Sequence, residues 1–311
     1  MLTPAQIREM STPRPARAMA DVALSWTFIL AAFALVALHT TWWTVLLAFP
    51  VIGNRYYALF IIAHDGMHRR LFPTIKRNDF WNDLLILGPI GAITRINNRN
   101  HLSHHLRLAT PADPDRHKHG CFNKAERLPF IGYLSGLLSV WTSARAVFIT
   151  RGRKVSHAAG VALPAESYRL RDFLILAGWF VVLAGGLTWA VGWWAYPVLW
   201  LAPVYVFMFL CDNFRSFAEH SHPEADALAD AHRMITYYSN PLERMLLAPM
   251  NMNYHATHHL WPSIPYYNLP LADRLIRNHP AAAGLEWRGS YFAYLARYWS
   301  ALPIAACKQG R

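Results

Sequence analysis

Four stretches of this chain are long and apolar enough to cross a lipid bilayer, a task that takes about 20 mostly apolar residues in a helix. They lie at about residues 22–38, 42–63, 173–191 and 195–211. No other feature restricts the fold as much. Backbone inside a bilayer must satisfy its own hydrogen bonds, and a run of this length does so as helix. Composition agrees. Apolar and aromatic residues (AVILMFWYC) make up 54% of the 311 residues and DEKR only 15%, against about 25% charged in soluble domains. Thirteen Trp and fourteen Tyr suit the membrane–water boundary, where amphipathic rings collect.

The formal charge of +12 is distributed unevenly. The connections His39-Thr40-Thr41 and Gly192-Trp193-Trp194 carry no Lys or Arg. The N-terminus holds Arg8, Arg14 and Arg17, and the segment between the second and third spans holds Arg69, Arg70, Lys76, Arg77, Arg95, Arg99, Arg107, Arg116, Lys118, Arg151, Arg153 and Lys154. Positive charge favours the cytosolic side. The expected architecture is therefore an all-α integral membrane protein in the inner or plasma membrane, a single domain over residues 1–311. Its four spans form two hairpins with tips facing outward. Residues 1–21, 64–172 and 212–311 are cytosolic and form a helical cap. Residues 84–93 and 131–149 are expected as helices packed on the bundle or lying in the interface, with a further span in the second stretch as the alternative; residues 151–171 are expected as a loop. The basic residues form no stripe apart from the apolar segments, which argues against nucleic-acid binding. Cys121, Cys211 and Cys307 are widely spaced and suggest neither a disulfide framework nor a zinc knuckle. No apolar run precedes Asp21, so the first span is expected to direct insertion itself.

Nine of the sixteen His fall into a pattern: His64 and His68; His101, His104 and His105; His220; and His255, His258 and His259. Residues i, i+3 and i+4 share a helix face, so each HxxHH run is expected to aim three imidazoles at one point. Neutral imidazole is a ligand for iron, zinc or copper. Zinc takes four ligands, or three plus water, so nine imidazoles are too many for one zinc and two metals are the economical reading. The other histidines (His39, His117, His119, His157, His232, His279) read as solvated or packed, with His222 ambiguous. A carboxylate-bridged di-iron bundle needs two Glu-x-x-His motifs; this chain has one, Glu219-x-x-His222. Glu219, Asp65 and Asp212 are candidates to orient imidazoles, the alternative being a solvated charge at a helix end.

These residues resemble the membrane fatty acid desaturase family, whose three histidine boxes appear here as HDGMH (His64–His68), HLSHH (His101–His105) and HATHH (His255–His259). Asn100 before the second box, Asp113-Pro-Asp115 after it, FRSFAEH ending at His220, and NMNYHATHHLWPSIPYYNLP over residues 251–270 are similar to the family's surroundings. The resemblance covers about residues 59–270. It implies a cytosolic site of two non-haem irons held by the nine histidines, O2 as co-substrate, and two electrons from outside. It also implies an oxidoreductase that puts a double bond into a lipid or acyl substrate. Hydroxylation or ketolation of a lipid or carotenoid on the same scaffold is the alternative, and a zinc-dependent membrane hydrolase a remote one. No His-Pro-Gly-Gly motif of a fused cytochrome b5 occurs, so the donor is expected to be a separate ferredoxin or cytochrome b5.

Overall fold

The computed structural model describes residues 1–108, 110, 112–115, 126–136, 167–220 and 234–302. In chain order the helices are α1 (Pro4–Met10), α2 (Pro15–Leu38), α3 (Trp42–Met67), α4 (Ile75–Asn82), α5 (Thr94–Arg107), α6 (Arg127–Leu134), α7 (Leu170–Ala190) and α8 (Tyr196–His220), then α9 (Pro241–Leu247), α10 (His255–Leu260), α11 (Leu269–Ile276) and α12 (Tyr291–Ala301). Helices α2, α3, α7 and α8 are long and apolar enough to cross a membrane, and α7 turns Phe173, Leu174, Phe180, Val181 and Trp189 outward. The expected loop over residues 151–171 lies mostly outside the described residues; its last two residues already belong to α7. Most of residues 131–149 is likewise outside them.

The spans run further than their apolar runs. α3 continues to Met67 and α8 to His220, past the points where hydropathy stops. The reason is packing: His64, Asp65, Asp212, Glu219 and His220 are buried among neighbouring elements, so the helices keep their backbone bonds after the sequence turns polar. Close approach of α3 and α8 depends on Gly53, where a Cβ would stand 2.7 Å from the Phe207 side chain. Small residues serve this role between membrane helices because they let backbones approach. α8 carries Pro197 and Pro203 and is wound as π-helix over Tyr196–Leu201 and Pro203–Met208. A proline lacks the donor that an α-helical turn would use.

Between α4 and α5 the chain passes through a π turn (Asp83–Leu87) and a 3-10 turn (Gly88–Ile90), where the sequence suggested a helix. Five of its carbonyls each receive an aromatic side-chain donor. Trp179 donates to Leu84 at 2.5 Å, Trp26 to Leu85 at 2.8 Å, Tyr56 to Ile86, Trp200 to Pro89 at 3.2 Å and Tyr205 to Ile90 at 2.7 Å. The five donors come from all four long helices. Irregular backbone survives beside a bilayer only when buried and satisfied in this way. Trp26 also stacks on Trp179 and Trp200, with ring centroids 5.2 and 5.9 Å away.

The fold is not purely helical. β1 (Ile235–Tyr237) and β2 (Glu286–Arg288) pair in parallel, Ile235 opposite Glu286. Such a crossover pair leaves no periodic signal in three residues. At the N-terminus, Leu2 and Met10 pack with Ile264, Leu269, Ala272 and Ile276. Tyr267 accepts from the Arg14 backbone N–H at 2.8 Å, and Asn268 donates to the Met10 carbonyl at 2.7 Å. The start of the chain is thereby tied to the segment that follows the third histidine box.

Candidate metal centre

Three elements and one helix end bring the nine histidines together. His64 and His68 close α3, and Arg69 then takes a left-handed backbone (φ 59°) that turns the chain toward α4. Gly66, between these two histidines, lies against α4, where a Cβ would stand 2.4 Å from Asn82. Asn78 donates to the Gly66 carbonyl at 2.8 Å, Asn82 to Thr94 Oγ1 at 2.9 Å, and Asn98 to the Met67 carbonyl. These amides lock α5, which carries His101, His104 and His105, against the end of α3. His220 ends α8, and α10 supplies His255, His258 and His259.

The nitrogens form two groups. One contains His64, His68, His101, His105 and His258; the other contains His104, His220 and His259; within each, one nitrogen per residue lies within 4.8 Å of every other. In the first, Nε2 of His101 is 2.7 Å from Nε2 of His68 and 3.1 Å from that of His105, and His258 Nε2 is 3.2 Å from His105 Nε2. His255 stands beside the second, its Nε2 2.7 Å from His220 Nε2 and 3.0 Å from His259 Nε2. The groups adjoin: the rings of His105 and His259 are 4.2 Å apart.

All nine sequence candidates converge, with one correction. Neither HxxHH run aims its three imidazoles at a single point. Each i, i+4 pair stays together: His64 with His68, His101 with His105, His255 with His259. Each i+3 residue crosses to the other group, His104 away from His101 and His105, His258 away from His255 and His259. Consecutive helical residues leave the axis about 100° apart, so neighbouring histidines diverge enough to serve two centres. His39 and His279 are exposed, as expected; His117, His119, His157, His222 and His232 lie outside the described residues.

The site's chemistry follows from its burial. His68 is pushed down to about 3, by burial first and Arg70 second, and His105 to about 2, by burial and then by His68 and His104. Burial followed by neighbouring histidines also holds His101, His255, His258 and His259 well below the ordinary imidazole range. These six imidazoles are therefore neutral at pH 7 and present lone pairs. His64 Nδ1, His105 Nδ1 and His258 Nδ1 are buried without a hydrogen-bond partner. A neutral imidazole has one donor and one acceptor, so a cluster of this density sets acceptors against acceptors. A cation in each group would take up the lone pairs of the Nε2 atoms that face one another. The donor set fits two nitrogen-ligated transition metals.

One carboxylate steadies a ring, and a second stands near another. Asp113 Oδ1 lies 2.9 Å from His104 Nδ1, which leaves Nε2 of His104 for the second group. Glu219, fully buried, has Oε2 3.4 Å from His255 Nδ1 and accepts from Tyr291 at 2.6 Å on its other oxygen. Arg215 binds Glu219 and also reaches Asp212 at 3.0 Å and Tyr57 at 2.7 Å. Of the three carboxylates proposed from sequence, Glu219 meets a histidine. Asp212 pairs with Arg215, and Asp65 accepts from the backbone N–H of Tyr266 at 2.7 Å. Sequence spacing gave no reason to connect Asp113 with His104, nine residues apart off any helical repeat, nor Tyr291 with Glu219, 72 residues apart.

Comparison with known proteins agrees with this geometry. The chain is 26% identical to dihydrorhizobitoxine desaturase of Bradyrhizobium elkanii, over 91% of this chain and 83% of that protein. It is 25% identical to β-carotene ketolase of Paracoccus sp., over 78% of this chain and 88% of that one. The profile of the fatty acid desaturase family matches residues 40–291, a range that takes in three of the four long helices, α3, α7 and α8, and all nine histidines, and the chain belongs to that family.

Proposed function

We propose that this membrane protein is an oxygen-dependent desaturase that introduces a double bond into a fatty acyl chain, with two irons held by the nine histidines and electrons from a separate carrier. The observation that carries the reading is the convergence of nine imidazoles at one end of the membrane-length helices, eight of them in two adjoining groups and His255 beside the second. Family membership and the two relatives support an oxygen-using oxidoreductase. His64, His68, His101, His105 and His258 would hold one iron; His104, His220 and His259, with His255, the other. Two irons there supply oxygen activation and the removal of hydrogen from an unactivated C–H bond. The chain's own part is to hold the imidazoles neutral and aimed. Burial contributes to the first and Asp113, at His104, to the second.

Exposed Arg8, Arg14, Arg17, Lys76 and Arg77 cluster toward the end of the bundle that carries the histidines, which supports a cytosolic site, cytosolic termini and two outward hairpins. The same charge would steer an acidic ferredoxin or the acidic face of a cytochrome b5 toward the site. Arg151, Arg153 and Lys154, expected to share in this, lie outside the described residues. The activity named for the Paracoccus relative, a β-carotene ketolase, favours a second reading, ketolation or hydroxylation of a lipid or carotenoid. The same ligand set suits both, and substrate position would decide between them. Metal analysis and product mass test all readings together. Two irons per chain and products lighter by two hydrogens support desaturation. Gain of oxygen transfers the assignment to the second reading. One zinc and no iron in active protein overturns both.

A further inference from the structure

We infer that Asp273 is a positioning residue for the third histidine box, acting through Thr257 to send His258 and His259 into different groups; the inference rests on the two-metal reading above. α10 has six residues and no side-chain cap at its N-terminus. A helix that short cannot hold itself, since one turn costs more ordering than its few bonds return. It is also approached through two consecutive non-glycine residues in left-handed backbone, Met250 (φ 55°) and Asn251 (φ 58°). Its orientation must come from outside.

Thr257 stands between His255 and His258 and is fully buried. Its Oγ1 donates to Asp273 Oδ1 at 3.1 Å. Thr is β-branched and stiff about its first torsion, so a fixed hydroxyl fixes the backbone that carries the histidines. Asp273, on α11, is itself fully buried and collects three further donors. Trp287 Nε1 of β2 reaches Oδ1 at 3.2 Å, and the Tyr238 hydroxyl and Arg277 reach Oδ2 at 2.7 and 3.2 Å. A carboxylate has about four acceptor positions, and all four are taken, by groups from four parts of the chain. Arg277 lies over the Tyr238 ring at 4.2 Å and closes the arrangement on its outer side. Rotation of α10 would break the bond to Thr257 and move both histidines at once.

The test uses the full chain in detergent, stripped of metal and titrated with Co(II) as the probe ion. Loss of an outer hydrogen-bond partner costs about 10- to 100-fold in metal affinity. Thr257→Val, which keeps the shape and removes the hydroxyl, should weaken at least one of two ions by about tenfold or more and alter the ligand-field absorption. Thr257→Ser should restore both. Asp273→Asn should act in the same direction, and Thr257→Val carries the test if Asp273→Asn does not fold. Thr257→Val binding both ions with wild-type affinity and absorption, even with a lower melting temperature, overturns the positioning role alone. Wild-type protein taking up fewer than two ions overturns the metal reading and this inference with it.

Discussion

The irregular segment Asp83–Ile90 and the histidine centre are both dense polar arrays in a largely apolar bundle, and they are balanced in opposite ways. In the segment, five carbonyls meet five indole or phenol donors from four helices. Donors and acceptors match, so the array is complete as protein. In the centre, nitrogens of like character stand 2.7 to 3.2 Å apart and three ring nitrogens are buried without partners. Burying unmatched polar atoms costs roughly 1–3 kcal/mol each, and bound cations would take up the lone pairs of the Nε2 atoms that face one another. The difference separates a structural device from a site.

The strongest way to break this comparison is to remove a ligand. His105→Ala or His259→Ala should abolish turnover, a loss beyond the roughly 10- to 100-fold expected for an outer partner, while the long helices still insert. His279→Ala should change little. Equal activity in all three variants would show that the centre is not the site.

The metal-stripped protein should be acid-sensitive in a way the carbonyl array is not. His68 and His105 stay neutral in the folded chain down to about 3 and about 2, whereas an unfolded imidazole takes up a proton near 6.5. The unfolded state therefore binds more protons between those values. Stability is present above about pH 6.5 and is lost as the pH falls, by about 1.4 kcal/mol per pH unit for each such histidine. Melting temperatures should hold from pH 8 to about 6.5 and fall from there to pH 5 in stripped protein, and change much less in metal-loaded protein. A flat profile in the stripped form would mean that the cluster opens to water.

Asp113→Asn sharpens the comparison at one ring. It should turn the hydrogen bond to His104 Nδ1 around or lose it, and weaken the second group by about tenfold, read as metal affinity with the fold intact. The smallest effect belongs to the matched array. Trp26→Phe keeps a ring beside Trp179 but strands the Leu85 carbonyl, costing about 1 kcal/mol. Metal content should not change; a loss of metal there would mean that the two arrays are coupled.

Much of the site was legible because its signals are local. The i, i+4 spacings of His64/His68, His101/His105 and His255/His259 are properties of a helix, and each pair does stay together. The crossing of His104 and His258 was not legible, because a spacing says which residues share a face and not what stands opposite that face. Asp273 illustrates the limit further: its four donors include Tyr238, 35 residues before it, and Trp287, 14 after it, with no period linking them.

Residues alone determined the membrane-length helices and the kind of ligand, because burial in a bilayer depends on runs of apolar side chains and metal affinity depends on imidazole chemistry. Only the tertiary structure decided where the helices end, which histidine enters which group, which carboxylates steady them, and how five carbonyls beside the bundle find partners. These depend on directions and distances of a few ångströms between elements far apart in the chain, set when packing fixes the angle at which each helix meets the next.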